Sequence, residues 1–213
     1  MGKLVYLWMA IKTVFCNCNS DHKRHHFEKS RSHYTVQKIG TMPAAVAESS
    51  GLARSINPKA FWTHNDSGGK NEIYEVSHTG QLLNTIQIPN AKNLDWEDLA
   101  EDPSGNIYIG DMGNNNHNRK DLTIYKFHQE TNQTEKITFQ YTDQNAFPPG
   151  PENLNFDCEA FFYYKDNLYL FSKNYNKKNQ FVKLYQLTAQ AGTYRIAPKD
   201  SIQINAPVTA ADI

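Results

Sequence analysis

Two short acidic segments, Asp95-Trp96-Glu97 and Asp157-Cys158-Glu159, share a pattern of two carboxylates separated by one residue. In an extended strand, side chains two positions apart point to the same face, so each segment predicts a pair of carboxylates on one face. Carboxylates gathered in this way repel one another and need a cation, water or a bound proton. Calcium takes several oxygen ligands, so the segments predict a calcium site. The candidate metal ligands are Asp95, Glu97, Asp111, Asp157 and Glu159.

Two polar corners offer further oxygen atoms. They are Asn65-Asp66-Ser67-Gly68 and Asp111-Met112-Gly113-Asn114-Asn115, and each follows a segment that contains aromatic residues. Tight turns also require Asp, Asn and Gly, so a purely structural role for both corners stays open. Neither corner has the acidic spacing of an EF-hand loop. The candidate ligand-binding residues are Asn65, Asp66, Trp96, Asn114 and Asn115.

Acid–base catalysis is an alternative use of the same carboxylates. Glu97 and Glu159 could flank a glycosidic bond, and their separation would decide the stereochemical outcome. Aromatic side chains such as Trp62 and Tyr108 could stack on a sugar, although aromatic residues on strands more often pack between sheets. The sequence contains no Gly-x-Ser-x-Gly elbow, no zinc-binding His pair at helical spacing and no phosphate-cradling glycine loop. It therefore assigns no catalytic residue and favours a binding protein over an enzyme.

The acidic segments belong to a longer repeat. At intervals of about fifty residues, an acidic or small polar cluster runs into a hydrophobic pair, and three more short strands follow. Leu52, Leu99 and Phe161 are equivalent positions, and their unequal spacing is explained by loop insertions, which cost little closure entropy. Four short strands at this period are typical of a β-propeller blade. We predict an all-β propeller whose four-stranded blades span about residues 48–90, 95–142 and 157–205.

A fourth repeat begins at residues 208–213, where Ile213 matches Phe161. Closed propellers normally have at least four blades, so three blades and the first strand of a fourth predict an incomplete ring with two open edges. We expect the complete ring to have six blades. The alternating segment 34–39 would supply the outermost strand of the last blade. A β-sandwich built from the same strands is the alternative.

In a propeller, the first strand of each blade lines the central channel. The equivalent positions in the four repeats should therefore ring one level of that channel. They are Ser50, Glu97, Glu159 and Ala211. This placement predicts that a ligand or partner binds at the channel mouth.

Residues 1–20 differ from the repeats. Lys3 precedes an apolar run over residues 4–11, and polar residues follow that run. This succession is typical of a secretory signal, and the apolar run is too short to span a membrane. Cys18, followed by Asn-Ser-Asp, is the candidate lipidation residue, and Cys16 is the second candidate. Residues 21–33 then form a polar tether to a domain over residues 34–213. We predict an exported protein, either periplasmic, secreted or an outer-membrane lipoprotein, that meets the membrane only through a lipid anchor.

Charge narrows the classes of binding partner, and cysteine content narrows the role of the thiol. The chain has 22 basic and 22 acidic residues. A formal net charge of zero does not provide the excess of positive charge that is typical of nucleic-acid-binding proteins. The expected partner is a small molecule, a glycan or a protein. Cys158 is the only cysteine beyond the leader, and we predict a buried, inert thiol because no His accompanies it in the repeat.

These motifs together resemble exported bacterial six-bladed propellers of the TolB-like and phytase-like kind. The resemblance covers about residues 45–213. It is carried by Ser50-Gly51-Leu52, residues 65–68, residues 95–100, residues 110–115 and residues 157–160. The resemblance implies, as an alternative function, a calcium-dependent hydrolase of phosphate esters with Glu97, Glu159 and Asp111 holding the metal. A propeller phytase also needs a basic cluster to clamp phosphates, and no Lys/Arg cluster aligns with the acidic positions. The leading hypothesis is a propeller that binds a ligand or partner at its channel mouth, with structural calcium.

Overall fold

The structure is a computed structural model that describes residue 35 and residues 37–174, 181–204 and 206–213. The described residues form thirteen strands and one short 3₁₀ helix, Pro151–Asn153. Within these ranges, no helix has the length and apolar character needed to cross a membrane. The folded unit spans Lys38–Ile213.

Sheet 1 is an antiparallel meander. In both chain and spatial order, its strands are β1 (Ser49–Arg54), β2 (Ala60–Asn65), β3 (Glu72–Ser77) and β4 (Leu82–Gln87). The turn between β3 and β4 is closed by a hydrogen bond of 2.9 Å from the Gly80 N–H to the Ser77 carbonyl. Gly80 has a φ of 87°, a backbone conformation that glycine adopts without strain.

Sheet 2 lies in the middle of the molecule. Its antiparallel meander contains β5 (Trp96–Glu101), β6 (Ile107–Asp111), β7 (Leu122–His128) and β8 (Gln133–Tyr141). A fifth strand, β12 (Gly192–Ile196), pairs in parallel with β8 at the outer edge. All residues of β6 are buried. This burial agrees with a sheet that is covered on both faces.

Sheet 3 repeats the meander. Its strands are β9 (Asp157–Tyr164), β10 (Asn167–Lys173), β11 (Phe181–Thr188) and β13 (Pro198–Gln203). The pairing of β9 with β10 skips Glu159, since Ala160 pairs with Phe171 and Cys158 with Ser172, so Glu159 is the extra residue of a bulge in β9. A bulge re-aims the side chains around it. Here it lies at the inner strand that carries the second acidic segment.

The first strands of the three sheets are neighbours, because β1 contacts β5 and β5 contacts β9. Three successive meanders with adjacent first strands form a propeller-like arrangement. The prediction of an all-β, propeller-like fold is therefore confirmed. The six-bladed ring and its incompleteness remain predictions.

Two apolar clusters hold the sheets together. Trp62 and Ile73 of sheet 1 pack with Ile109 and Phe127 of sheet 2. The second cluster joins the other face of sheet 2 to sheet 3. Its largest members are Tyr108, Phe139, Tyr141, Phe161 and Tyr185. Each fully buried side chain of this size stabilises the fold by about 1.5–3 kcal/mol relative to an exposed one. The aromatic residues that could have stacked on a sugar, Trp62 and Tyr108, thus pack between sheets.

The region of the third repeat contains one strand that the sequence did not predict. β12 leaves sheet 3 and pairs with β8 of sheet 2, and Ile196 at its end is 6% exposed. β8 would otherwise present unpaired backbone groups at the edge of sheet 2. Pairing with β12 satisfies those groups and adds Ile196 and Tyr194 to the packing between sheets 2 and 3.

The N-terminal predictions fall mostly outside the described residues. The leader 1–20, Cys16, Cys18 and the tether 21–33 all lie there. The predicted strand 34–39 is described only in part, and residues 37–39 form no strand. The sequence places the pairing of this strand in the last blade of a closed ring, and that placement remains a prediction.

Candidate functional site

A polar cavity of about 480 Å³ opens where the inner strands begin. The residues that line it are Ser49, Ser50, Asp66, Ser67, Asp95, Glu97, Asn115, Glu159, Lys173 and Thr209. Ser50, Glu97 and Glu159 come from equivalent positions of three repeats, and the fold brings them to one wall. The Ser50 hydroxyl donates a 2.6 Å hydrogen bond to the Glu97 carbonyl, which ties β1 to β5 at this level. Ala211, the fourth equivalent position, lines a different cavity of mixed polar and apolar character.

Five carboxylates lie together here in two overlapping groups, and four of them line the cavity while Asp157 is fully buried. Asp66, Asp95 and Glu97 form one group, and Glu97, Asp157 and Glu159 form the other. Within each group the potential ligand oxygens lie within 4.8 Å of one another. Glu97 belongs to both groups and therefore stands at the centre of the acidic cluster.

Glu97 is buried without a compensating partner. The residue is 8% exposed, and the described residues give its carboxylate no hydrogen bond and no ion pair. Burial and the neighbouring carboxylates, Glu159 foremost, raise the pKa of Glu97 to about 10. At neutral pH the group holds a proton unless a cation replaces it. An ionised carboxylate buried in this way is costly, and a bound proton or a cation lowers that cost.

The neighbouring acids are perturbed in the same direction. Burial and the carboxylate of Asp157 raise the pKa of Asp95 to about 6. Burial raises the pKa of Glu159 to about 7, although the hydrogen bond from Lys173 opposes that rise. The Lys173 Nζ lies 2.5 Å from the Glu159 Oε1. Lys173 thus supplies a positive charge at the wall of the cavity.

Gly113 allows the carboxylates to approach the corner after β6. A Cβ at this position would collide with the Glu97 Oε1 and with the carboxylate of Asp95. The Gly113 N–H also donates a 3.2 Å hydrogen bond to the Asp95 carbonyl. Only glycine leaves this space to the two carboxylates, so the corner forms a cradle for them.

Asp111 supports the cluster from outside the cavity. Its Oδ1 accepts the Asp95 N–H at 3.0 Å and lies 3.1 Å from Arg119 Nη2. Arg119 also donates from Nη1 to the Gly113 carbonyl at 2.8 Å. Asp111 is 1% exposed and joins neither group of potential ligands. Asp111 therefore lies outside the two carboxylate groups and holds the backbone that carries Asp95.

The predicted ligand-binding asparagines have different environments. Asn114 is buried, and its N–H donates to the Asp157 Oδ1 at 2.7 Å while its amide donates to the Phe156 carbonyl. The side chain of Asn65 bonds the backbone of Ala45 and Glu48, so it holds a corner. Asn115 is the asparagine that lines the cavity.

Trp96 lies in the core and not at the cavity. It is fully buried, its ring makes an edge contact of 5.6 Å with His64, and its indole N–H donates to the Lys92 carbonyl at 2.8 Å. The side chain alternates with those of Asp95 and Glu97 and so points to the opposite side of the strand. It has no surface to offer a ligand.

Sequence reasoning missed two residues near the site. Lys173 is the register partner of Asp157 in the β9–β10 hairpin. The tight turn at Lys165-Asp166 fixes that register, so the turn could have predicted that Lys173 lies beside the second acidic segment. Asp98 lies beside Glu97 and accepts the backbone N–H of Leu99 at 2.9 Å and of Phe161 at 3.1 Å. Burial raises the pKa of Asp98 to about 7 against the effect of these bonds.

Cys158 agrees with the prediction of a buried thiol. It is free, fully buried, and packed in the cluster between sheets 2 and 3. Burial raises the pKa of its thiol well above the usual range. A thiol that stays protonated and enclosed is neither a nucleophile nor a metal ligand.

Comparisons with known proteins give fold likeness only. No family model and no curated protein matches the sequence. The computationally designed Ika4 protein matches with a TM-score of 0.41 at 14% identity, covering 84% of this chain and 88% of that one.

Two further structures give similar scores. A catalytically inactive virginiamycin B lyase from Staphylococcus aureus, solved with quinupristin, matches with a TM-score of 0.42 at 14% identity over 76% of this chain. Hydrazine synthase from Kuenenia stuttgartiensis matches with a TM-score of 0.42 at 10% identity over 86% of this chain. This chain covers 44% of the lyase and 41% of the synthase. Likeness at this level carries no substrate or activity over to this chain.

Proposed function

We propose that this chain is a binding module that holds a calcium ion in the polar cavity at the start of its inner strands. The observation that carries the proposal is Glu97, which is 8% exposed and has no partner among the described residues, although it belongs to both carboxylate groups. The cradle at Gly113 supports it, because that corner keeps the space around the Glu97 and Asp95 carboxylates clear of side-chain atoms. The proposed ligands are Asp66, Asp95, Glu97, Asp157 and Glu159.

The donor chemistry favours calcium over other cations. Both groups consist of carboxylates, with the amide of Asn115 and the hydroxyl of Ser50 also on the cavity wall. Calcium accepts six to eight oxygen ligands in flexible geometry. Zinc prefers nitrogen and sulfur ligands, and neither group contains His or Cys.

A cation in this position would have two effects. It would neutralise the repulsion among five carboxylates, and so join the end of β2 in sheet 1 to the inner strands of sheets 2 and 3. It would also present unfilled coordination positions to the open side of the cavity. Hydroxyl or carboxylate oxygens of a small molecule, a glycan or a protein could fill those positions.

The test is the thermal midpoint of the chain as a function of calcium concentration. A ligand that binds only the native state raises the midpoint by mass action. At a free ligand concentration of a hundred times the dissociation constant, the free energy of unfolding rises by about 2.7 kcal/mol. Glu97→Gln should abolish most of this increase. Glu130→Gln, an exposed change at the β7–β8 turn, is the matched control and should leave the increase intact. An unchanged midpoint over a wide calcium range would contradict the proposal.

A calcium-dependent hydrolase of phosphate esters is the second candidate. Lys173 favours it, because this lysine lies on the cavity wall beside Glu159 and could bind a phosphate oxygen next to the ion. A chromogenic phosphate monoester, with and without calcium, tests this candidate. Hydrolysis that requires calcium and is lost in Lys173→Met would support it. Calcium binding without hydrolysis would leave the binding module as the function.

Two further features belong to this proposal. We place the three sheets in a six-bladed ring, since large apolar side chains stay exposed on sheets 1 and 3, with Leu52 62% and Tyr164 39% exposed. We also place the protein outside the cytoplasm, on the basis of the charged, apolar and polar succession in residues 1–20. Mass spectrometry of the chain from a bacterial host tests the second feature. Loss of the first 17 residues with a diacylglyceryl group on Cys18 is the expected result.

A further inference from the structure

A buried asparagine spans the interface between sheets 1 and 2. Asn93 lies in the linker between β4 and β5 and is 9% exposed. Its side-chain amide donates to the Asp66 carbonyl at 2.9 Å and to the Asn65 carbonyl at 3.1 Å. Its Oδ1 accepts the Trp96 N–H at 3.2 Å. One side chain therefore joins the corner after β2 to the first residue of β5.

These bonds cross the interface where the first carboxylate group is assembled. Asp66 comes from the corner after β2, whereas Asp95 and Glu97 belong to the acidic segment at the start of β5. The Asp66 N–H donates to the Glu48 carbonyl at 2.9 Å, which holds the corner on the sheet 1 side. The bonds to Asn93 tie the same corner to sheet 2. Because Asn93 is buried, movement of the corner away from β5 would leave its amide without an acceptor, which costs free energy.

A second buried asparagine spans the interface between sheets 2 and 3. Asn114, in the corner after β6, is 2% exposed. Its N–H donates to the Asp157 Oδ1 at 2.7 Å, and its side-chain amide donates to the Phe156 carbonyl at 3.0 Å. Its Oδ1 accepts the Arg119 N–H at 2.9 Å, which holds the corner closed. Each carboxylate group that crosses between two sheets is thus accompanied by a buried asparagine that crosses between the same sheets.

We propose that Asn93 is a positioning residue of the acidic cavity, whose amide holds the Asp66 carboxylate against those of Asp95 and Glu97. The identity of the bound ion rests on the proposed function, whereas the placement of the carboxylates does not. Asn93 is not among the described residues that line the cavity, so it acts through Asp66. Residues behind metal ligands tune affinity because they fix the ligands in the geometry that the ion requires.

The first measurement is the calcium affinity of the full chain, obtained by titration calorimetry. Asn93→Ala should weaken binding by about tenfold to a hundredfold, since the Asp66 ligand is no longer held in place. Asn106→Ala is the matched control, because it also removes an asparagine amide, which donates to the Asp102 Oδ2 at 2.8 Å in the β5–β6 turn at the other end of β5. The control should keep the wild-type affinity. An Asn93→Ala chain that binds calcium like the wild type would overturn the proposal.

The second measurement is made without calcium. Carboxylates held together repel one another, so Asp66→Asn should raise the urea midpoint of the calcium-free chain at low ionic strength. In the Asn93→Ala background the corner is released, and the same change should raise the midpoint by less than half as much. A double-mutant cycle isolates this coupling from general loss of stability. The Asn106→Ala background should keep the full effect of Asp66→Asn.

The two measurements separate failure of the positioning role from failure of the calcium site. A wild-type chain that binds no calcium but shows the coupling between Asn93 and Asp66 would overturn the proposed function and support the positioning role. An equal effect of Asp66→Asn in the wild-type and Asn93→Ala backgrounds, or no rise of the wild-type midpoint, would overturn the positioning role. If Asn93→Ala loses its far-ultraviolet circular dichroism, Asn93→Ser replaces it in both measurements. The serine hydroxyl donates one hydrogen bond, so smaller shifts in the same directions are expected.

Discussion

The Asp98 Oδ2 accepts the backbone N–H of Phe161 at 3.1 Å, while its Oδ1 accepts the N–H of Leu99 at 2.9 Å. The first of these bonds joins the inner strand of sheet 2 to the inner strand of sheet 3. Asp98 is 5% exposed, so water cannot replace either bond. One carboxylate thus fixes the spacing of two inner strands directly beneath the acidic cavity.

Asp98→Asn should lower the stability of the chain. An amide keeps one acceptor oxygen but turns an NH₂ group toward a backbone N–H, and a buried donor left without an acceptor costs about 1–3 kcal/mol. Chemical denaturation gives the measurement. Asp200→Asn, a change at an exposed position of β13, should stay within about 0.5 kcal/mol of the wild type. Equal stability of Asp98→Asn and the wild type would show that the carboxylate does not hold the strands.

Without calcium, the stability should fall as the pH rises from about 4.5 toward 10. Glu97 has a pKa of about 10 in the native state and 4.5 in its ordinary state, so between these values the native protein binds the additional proton. Stability then decreases by about 1.4 kcal/mol per pH unit for each group in this condition. Glu159, with a native pKa of about 7, adds to the slope only between about pH 4.5 and 7.

Glu97→Gln provides the control for the pH dependence. The variant lacks the titrating group, so its stability should change less between pH 7 and pH 9 and should exceed that of the calcium-free wild type at pH 9. Urea denaturation at both pH values gives the comparison. A wild-type protein that becomes more stable between pH 7 and pH 9 without calcium would contradict the assignment of a raised pKa.

Gly113→Ala should remove calcium binding and lower stability. The added Cβ would occupy the space of the Glu97 and Asp95 carboxylates and force both to move. Overpacking of this kind costs about 1–3 kcal/mol. The measurement is the thermal midpoint with and without calcium. Gly150→Ala adds a Cβ where no neighbouring atom lies within 4 Å and should change neither quantity. A Gly113→Ala chain that keeps the full calcium effect would contradict the cradle.

Cys158 should react with an aromatic disulfide reagent only after unfolding. The native thiol is fully buried and its pKa is raised, so both access and the thiolate fraction are low. A chain with Cys16→Ser and Cys18→Ser isolates this residue. The expected result is a lag in the native state and an immediate reaction in denaturant. Immediate reaction of the native protein would show that the packing around β9 is open.

Features that depend on local pattern followed from the sequence. The strand order within each meander, the equivalence of Leu52, Leu99 and Phe161, and the shared face of Glu97 and Asp95 all rest on two-residue alternation and on turn signals. Neighbouring residues decide these properties, so they can be inferred before the chain is folded. The same alternation explains why the acidic segments meet, since β5 and β9 are both inner strands.

Tertiary structure decided which face of each strand meets another layer. Trp96 lies in the core because sheet 1 covers its face, and Asp111 lies outside the two carboxylate groups, where Arg119, eight positions later, pairs with it. Likewise, β12 joined sheet 2 because the free edge of β8 lay within its reach. Alternation tells two faces apart but does not say which one is buried. Burial and long-range pairing depend on how the sheets stack, so only the assembled sheets determined the roles of these residues.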